Sequence, residues 1–228
     1  MAGQIRYINE VGSDGWVAGA DASGVRIPLC KYTKVEVRET RNHRTQFQVL
    51  DGPRKGAVLD MDAHQATRYF GATPPQQGLA ALRVKYGHYQ AGWVSVARHN
   101  QLLDQQFAEL QVADVQATVT MNTVWGREFT PLPAGSYKVF APDGPHDRNM
   151  TAFYRNFEST LSSDQLWFPI DVGNRSRYVH VGNVSEGCVT VASLDKWARI
   201  CEALVSHRST DGRYVATLTV TGAPERSR

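Results

Sequence analysis

Short runs in which apolar and polar side chains alternate dominate this chain, and their two-residue period predicts a protein built mainly from β-strands. In the first third such runs fall at residues 16–18, 25–29, 34–38 and 45–50, with Gly, Asp and Asn between them, and predict a small β-barrel or sandwich. Strand-like runs continue at 79–86 and 92–98, then at 108–112 and 115–121. Pro131, Pro133 and Gly135 enforce a turn before a strand at 136–140, and Tyr214 opens a last alternating run to residue 220. Residues 141–165 are polar and turn-rich without a period, which fits a flexible loop covering a cleft.

One helix stands out. After Ser193 as N-cap, Leu194, Trp197, Ala198, Cys201, Leu204 and Val205 recur at helical spacing and form a single apolar stripe. The expected fold class is therefore mainly β with one clear amphipathic helix. Stretch 71–78, with Pro74-Pro75 flanked by glycines and polar residues, reads as a linker. The expected organisation is a small β-rich accessory domain over 1–75, a linker with connecting strands over 76–104, and a second domain over 105–228. Within the first domain, residues 48–58 resemble the strand-turn-strand core of SH3-like barrels.

Composition narrows the class without naming a partner. With 228 residues, 42% hydrophobic and 21% charged, the chain buries a full core and shows no signature of disorder. Twenty-five basic against 22 acidic residues leave a net charge of +3, too little for a nucleic-acid binder. Three cysteines, Cys30, Cys188 and Cys201, are far apart, so neither a disulfide framework nor a CxxC site is expected. No stretch has the length of a membrane span, and the N-terminus lacks the apolar core of a secretory signal, so a cytoplasmic product is expected.

The chemistry concentrates in Tyr178-Val179-His180-Val181-Gly182-Asn183-Val184-Ser185-Glu186-Gly187-Cys188-Val189. An imidazole and a thiol there flank a glycine-containing turn, and a histidine that takes the thiol proton makes a nucleophile of a cysteine. Cys188 and His180 are the expected catalytic pair. Gly187 clears space before the thiol, and the nearby backbone N–H groups are the expected oxyanion donors. Ser185 and Asn183 support the turn and orient His180; Glu186 lies beside the thiol. Arg175 and Arg177 precede the histidine strand as candidate carboxylate binders, and His146 approaches the cleft from its loop or lies in solvent. The remaining histidines have no metal-ligand spacing, and no cofactor or metal is expected.

Two motifs in this order resemble the L,D-transpeptidase catalytic domain. Thr130-Pro131-Leu132-Pro133-Ala134-Gly135-Ser136-Tyr137 is similar to the Thr-Pro-x-Gly-x-Phe/Tyr turn of that family, with an added residue, and Ser185-Glu186-Gly187-Cys188-Val189 is similar to its Ser/Thr-His-Gly-Cys-hydrophobic motif. The resemblance covers about residues 105–220. It implies a β-rich fold in which Cys188 attacks a peptidoglycan stem peptide at a diaminoacyl carbonyl, expels a D-amino acid and forms a thioester that an amine or water resolves. The chain departs from the pattern at Glu186, where the family has histidine, at Thr190, where arginine is common, and in the seven residues that separate His180 from Cys188, a short loop. A protonated His180 held by Glu186 is one arrangement consistent with the substitution. Access to the cell wall then requires delivery by an injection apparatus or release by a phage. Two other readings stay open: a non-catalytic wall-binding component of a phage or secretion system, and an unrelated cysteine amidase or peptidase.

Overall fold

The computed structural model describes residues 3–125, 130–173 and 176–226. Seven strands form the first sheet: β1 (Gln4–Ile8), β2 (Trp16–Ala20), β3 (Arg26–Cys30), β4 (Lys34–Arg41), β5 (Arg44–Val49), β6 (Val58–Asp62) and β7 (Phe70–Gly71), with helix α1 (Ala63–Tyr69) before the last. They lie in the order β3-β2-β6-β5-β4-β1-β7. The hairpin expected over 48–58 is present as β5 and β6, with Phe47 opposite Leu59, and its turn is a short 3-10 segment, Gly52–Arg54. Inward residues at every second position, among them Val35, Phe47, Val49, Leu59 and Met61, bury a separate small core.

The remaining strands are β8 (Gln76–Gln77), β9 (Ala80–Ser95), β10 (Gln101–Val112), β11 (Val115–Asn122), β12 (Gly135–Phe140), β13 (Phe168–Pro169), β14 (Tyr178–Val181), β15 (Val189–Val191), β16 (His207–Arg208) and β17 (Tyr214–Thr221). Eight of them make one mixed sheet in the order β12-β17-β9-β10-β11-β15-β14-β13. Its two edges meet where Val139 bridges Ile170 and the Asp171 N–H donates to Lys138 O at 2.8 Å, so the sheet is a nearly closed barrel. Closure removes most of the unpaired edge. In β9 the buried side chains Ala80, Leu82, Val84 and Tyr86 alternate with exposed ones. β14 and β15 run parallel, and Val179, His180, Val181 and 189–191 are all buried, the pattern of strands covered on both faces.

The structure differs from the sequence reading in five places. Segment 76–104 is no connector: β9 is the longest strand of the second sheet and pairs with both β10 and β17. Its second half carries Gly87 and Gly92 and loses the buried-exposed alternation, which masked its continuity. The 71–78 stretch is strapped down, because β8 pairs with β16 and the Gln76 N–H donates to Ser206 O at 2.7 Å. Besides the expected helix, α3 (Trp197–Val205), the described residues include two shorter ones, α1 and α2 (Arg148–Thr151), too short to leave a periodic signal. A 3-10 turn, Leu194–Lys196, precedes α3, and the Ser193 hydroxyl makes no cap but accepts from the Thr118 N–H at 3.0 Å. The buried stripe of α3 is Trp197, Ile200, Cys201, Leu204 and Val205, with Ile200 in place of the expected Ala198.

The two sheets touch through α3. Glu202 on that helix takes an ion pair from Lys31 at 2.9 Å and a hydrogen bond from the Tyr32 hydroxyl at 2.8 Å. Trp16 and Cys30 of the first sheet are buried in the core of the second. No helix among the described residues is long and apolar enough to cross a membrane.

Candidate active site

The parallel register of β14 and β15 decides which side chains meet. His180 lies opposite Thr190, and residues two apart on a strand share a face, so Tyr178 and Cys188 join them on one side. That side opens into a cavity of about 310 Å3 whose walls include His180, Cys188, Tyr178, Trp167 and Tyr154. The thiol and the imidazole therefore line one cavity, diagonal neighbours across two paired strands.

The turn between them is held by buried hydrogen bonds. Asn183 accepts at Oδ1 from the Tyr154 hydroxyl at 2.6 Å, donates from Nδ2 to Ser95 Oγ at 2.6 Å, and accepts at its backbone oxygen from Gln105 Nε2 at 2.6 Å. The hydroxyls of Thr120 and Thr123 both donate to Gln105 Oε1. Ser185 donates from Oγ to Cys188 O at 2.8 Å, while its N–H donates to Thr123 Oγ1 at 3.0 Å. Both residues thus support the turn; neither hydroxyl nor amide is aimed at the thiol. With every polar atom of such a network satisfied, the backbone has one conformation available.

Gly187 is required by its surroundings. Its φ is +88°, and a Cβ there would overlap the Thr130 carbonyl oxygen. Arg177 ties the same two segments, donating from one terminal nitrogen to Gly187 O at 3.2 Å and lying 3.5 Å from Thr130 Oγ1 with the other. The Thr130 turn and the Gly187-Cys188 turn, distant in sequence, are packed together. Arg177, expected as a carboxylate binder, uses donors in these contacts and is not in the lining of the cavity, and Arg175 lies outside the described residues.

Imidazole chemistry follows from its partners. His180 Nδ1 is 2.9 Å from the Val181 carbonyl, an acceptor only, so Nδ1 carries the proton. Nε2 is then the basic nitrogen, and it accepts from the Thr190 hydroxyl at 3.0 Å. Among the described residues no hydrogen bond joins His180 to Cys188 or to Glu186. Burial pushes His180 down to about 4, against a smaller opposing effect of the Val181 carbonyl, and His146 adds to the lowering. The expectation of a protonated His180 held by Glu186 is corrected: the ring is neutral, and Glu186 stands exposed at the rim. Burial likewise pushes the Cys188 thiol up to about 11, although the Tyr178 backbone N–H and Arg177 favour the thiolate.

His146 is not a solvated loop residue. Its ring stacks on Trp167 at 4.1 Å, and Trp167 stacks in turn on His180 at 3.9 Å, so an indole is sandwiched between two imidazoles. Tyr178 meets both His146 and Trp167 edge-on, at 4.8 and 5.5 Å. The segment 141–165 does cover the cleft, placing α2 and Tyr154 over it, and it is pinned by Arg155 to the fully buried Asp164 and by Arg155 to Ser13 O at 3.0 Å. Trp167, Tyr154 and Arg98 are site residues that sequence reasoning missed, and Thr190 was marked there only as a departure from the family motif, without a role toward His180. Tyr178 was accessible to that reasoning, two residues before His180 on the same strand.

A wider hollow of about 390 Å3 at the junction of the sheets reaches Cys201, but no histidine lines it, and the Lys31–Glu202 ion pair already matches its charges. No group of three or more His, Cys, Asp or Glu among the described residues is arranged to hold a metal ion. Comparison with protein-family models, with curated proteins and with solved structures finds no match to this chain.

Proposed function

We propose that the chain is a cysteine-dependent enzyme of peptidoglycan stem peptides, acting as an L,D-transpeptidase or L,D-carboxypeptidase. The observation that carries this reading is the placement of Cys188 and His180 on one face of β14 and β15, lining one cavity, with the Thr130 turn seated against Gly187. In this reading Cys188 Sγ attacks the carbonyl carbon of the diaminoacyl residue. Its proton passes to His180 Nε2 and then to the departing nitrogen of the D-amino acid, leaving a thioester. An amine or water resolves the thioester and returns the thiol.

The resting groups set the order of events. With the thiol at about 11 and the imidazole at about 4, moving the proton between them in isolation costs roughly 10 kcal/mol. Attraction between the resulting charges returns only about 4 kcal/mol at 4 Å and an effective dielectric of 20. A preformed thiolate-imidazolium pair is therefore not the resting state. His180 acts as a general base during the attack, and Thr190 must first release Nε2. The Val184 carbonyl, 3.5 Å from Thr190 Oγ1, offers that hydroxyl a second acceptor.

The same values favour a second reading, a wall-peptide binder whose cysteine no longer turns over, as a component of a phage or secretion system. One experiment separates the two. The protein is incubated with the stem tetrapeptide L-Ala-γ-D-Glu-meso-diaminopimelyl-D-Ala, with and without an amine acceptor, and followed by mass. Loss of D-alanine by the wild type but not by Cys188→Ala supports the enzyme; peptide binding without product supports the binder.

A further inference from the structure

The cavity beside Cys188 has a cation that the catalytic reading does not use. Arg98 ends the 3-10 turn Val96–Arg98 at the tip of the β9–β10 hairpin, and it lines the same cavity as His180 and Cys188. The hairpin is tied to the catalytic turn, because Ser95 Oγ accepts from Asn183 Nδ2 at 2.6 Å. The guanidinium lies over the Phe153 ring at 5.0 Å and near Tyr154 at 6.0 Å, contacts that satisfy none of its N–H donors.

Other arginines held in the body of the protein have acceptors. Arg155 pairs with Asp164, Arg177 with Gly187 O and Thr130, and Arg208 donates to Val205 O at 2.6 Å and to Lys31 O at 2.9 Å. Arg98 makes no hydrogen bond or ion pair with any described residue, and its Nε is buried without an acceptor. The indole Nε1–H of Trp167, on the same cavity, is buried without one as well. Buried donors without acceptors are rare and costly, and both belong to side chains in the wall of this one cavity, so a ligand toward which the guanidinium and the indole turn would supply the acceptors they lack.

We propose that Arg98 binds the carboxylate of the ligand, so that the site selects acyl peptides ending in a free carboxylate over their amides or chain-internal sequences. A guanidinium presents its donors as a planar fork that fits a carboxylate with two parallel hydrogen bonds. The proposal rests on the cavity being the ligand site described above, and it narrows the substrate class of that site. It does not depend on turnover.

Binding is measured with Cys188→Ala protein by calorimetry, using the stem tetrapeptide with a free C-terminal carboxylate and the same peptide as its C-terminal amide. 3-Phenylpropionate and 3-phenylpropionamide are titrated alongside, read by the Trp167 indole N–H resonance assigned with Trp167→Phe. The acid of each pair is expected to bind at least ten-fold more tightly than its amide. Arg98→Met, which keeps an apolar stem over the rings, is expected to abolish that preference, and Arg98→Lys to retain part of it, both with unchanged melting temperature. Discrimination between phenylpropionate and its amide without binding of either tetrapeptide keeps the carboxylate site and removes the peptidoglycan reading. Equal binding of acid and amide in both pairs, no binding of any of the four, or a preference that survives Arg98→Met overturns the proposal.

Discussion

Acidification should unfold this protein through His180, by an amount the burial of that ring fixes. The native imidazole titrates near 4, against 6.5 for an exposed ring, because charging it would strand a cation in the barrel wall. Between those values the unfolded chain binds a proton that the native chain refuses, so stability rises with pH there. The contribution is fully present above pH 6.5 and is lost as pH falls toward 4. Its full size is about 3 kcal/mol at 1.36 kcal/mol per pKa unit, of which about 2 kcal/mol is lost between pH 7.5 and 5. At a urea slope of about 2 kcal/mol/M that is a midpoint shift of roughly 1 M. His146, also lowered by burial, acts in the same direction, and Asp51, raised by burial, opposes it. The measurement is therefore a difference: urea midpoints at both pH values for the wild type and for His180→Gln, which keeps an amide N–H for the Val181 carbonyl. The wild type should lose about 2 kcal/mol more than the variant. Equal losses in the two proteins would refute the assignment of a buried neutral imidazole, as would a His180 proton resonance titrating near 6.5.

Three other outcomes test the site. Iodoacetamide should alkylate Cys188 before Cys30 and Cys201, since burial pushes the Cys201 thiol up further and Cys30 Sγ is engaged by Thr33 and Arg208, and its rate should still be rising above pH 10 because the thiol is pushed up to about 11; faster labelling of Cys201 would contradict the site. Gly187→Ala should lower stability by about 2 kcal/mol or more, seen as a depressed melting temperature, because a positive φ and the Thr130 carbonyl both oppose a Cβ. Glu186→Gln should leave turnover of the stem tetrapeptide within about ten-fold of wild type, since Glu186 makes no contact with His180 and only a through-space effect on the thiol; complete loss would mean that the carboxylate acts directly.

Much of the strand pattern was legible because alternation is a local property. Residues 34–38, 45–50, 115–121 and 214–220 read as strands and are strands, within a few residues at each end. β1 has a polar start and left no readable face, whereas β6 was read only at its first residue, Val58, although Leu59 and Met61 alternate with Asp60 and Asp62. α1 and α2 span two turns or fewer, too short for a period to accumulate, and each is set instead by a carboxylate that caps its first turn, Asp62 for α1 and Asp147 for α2. Closure of the barrel between Val139 and Ile170 is a contact between distant segments and has no local trace.

At the site, the pair legible in sequence was the one carried on a single short segment, His180 and Cys188 flanking Gly187. The rest comes from other parts of the chain. His146 comes from the covering segment, Trp167 from just after it, and Arg98 from a hairpin 82 residues before His180, while Thr190, only two residues after Cys188, meets the imidazole through strand register. These distant groups set the chemistry of the pair. Thr190 occupies the basic nitrogen and the aromatic cover removes water that would solvate an imidazolium, so a reactive Cys/His motif is held in its neutral form. The cover and the tautomer coexist in one arrangement: the Val181 carbonyl fixes Nδ1–H on the ring that stacks against Trp167. In the proposed reaction, a ligand that separates Thr190 from Nε2 would meet a ring already in the tautomer a general base requires, while the burial that opposes both the imidazolium and the thiolate would still have to be offset by the bound ligand.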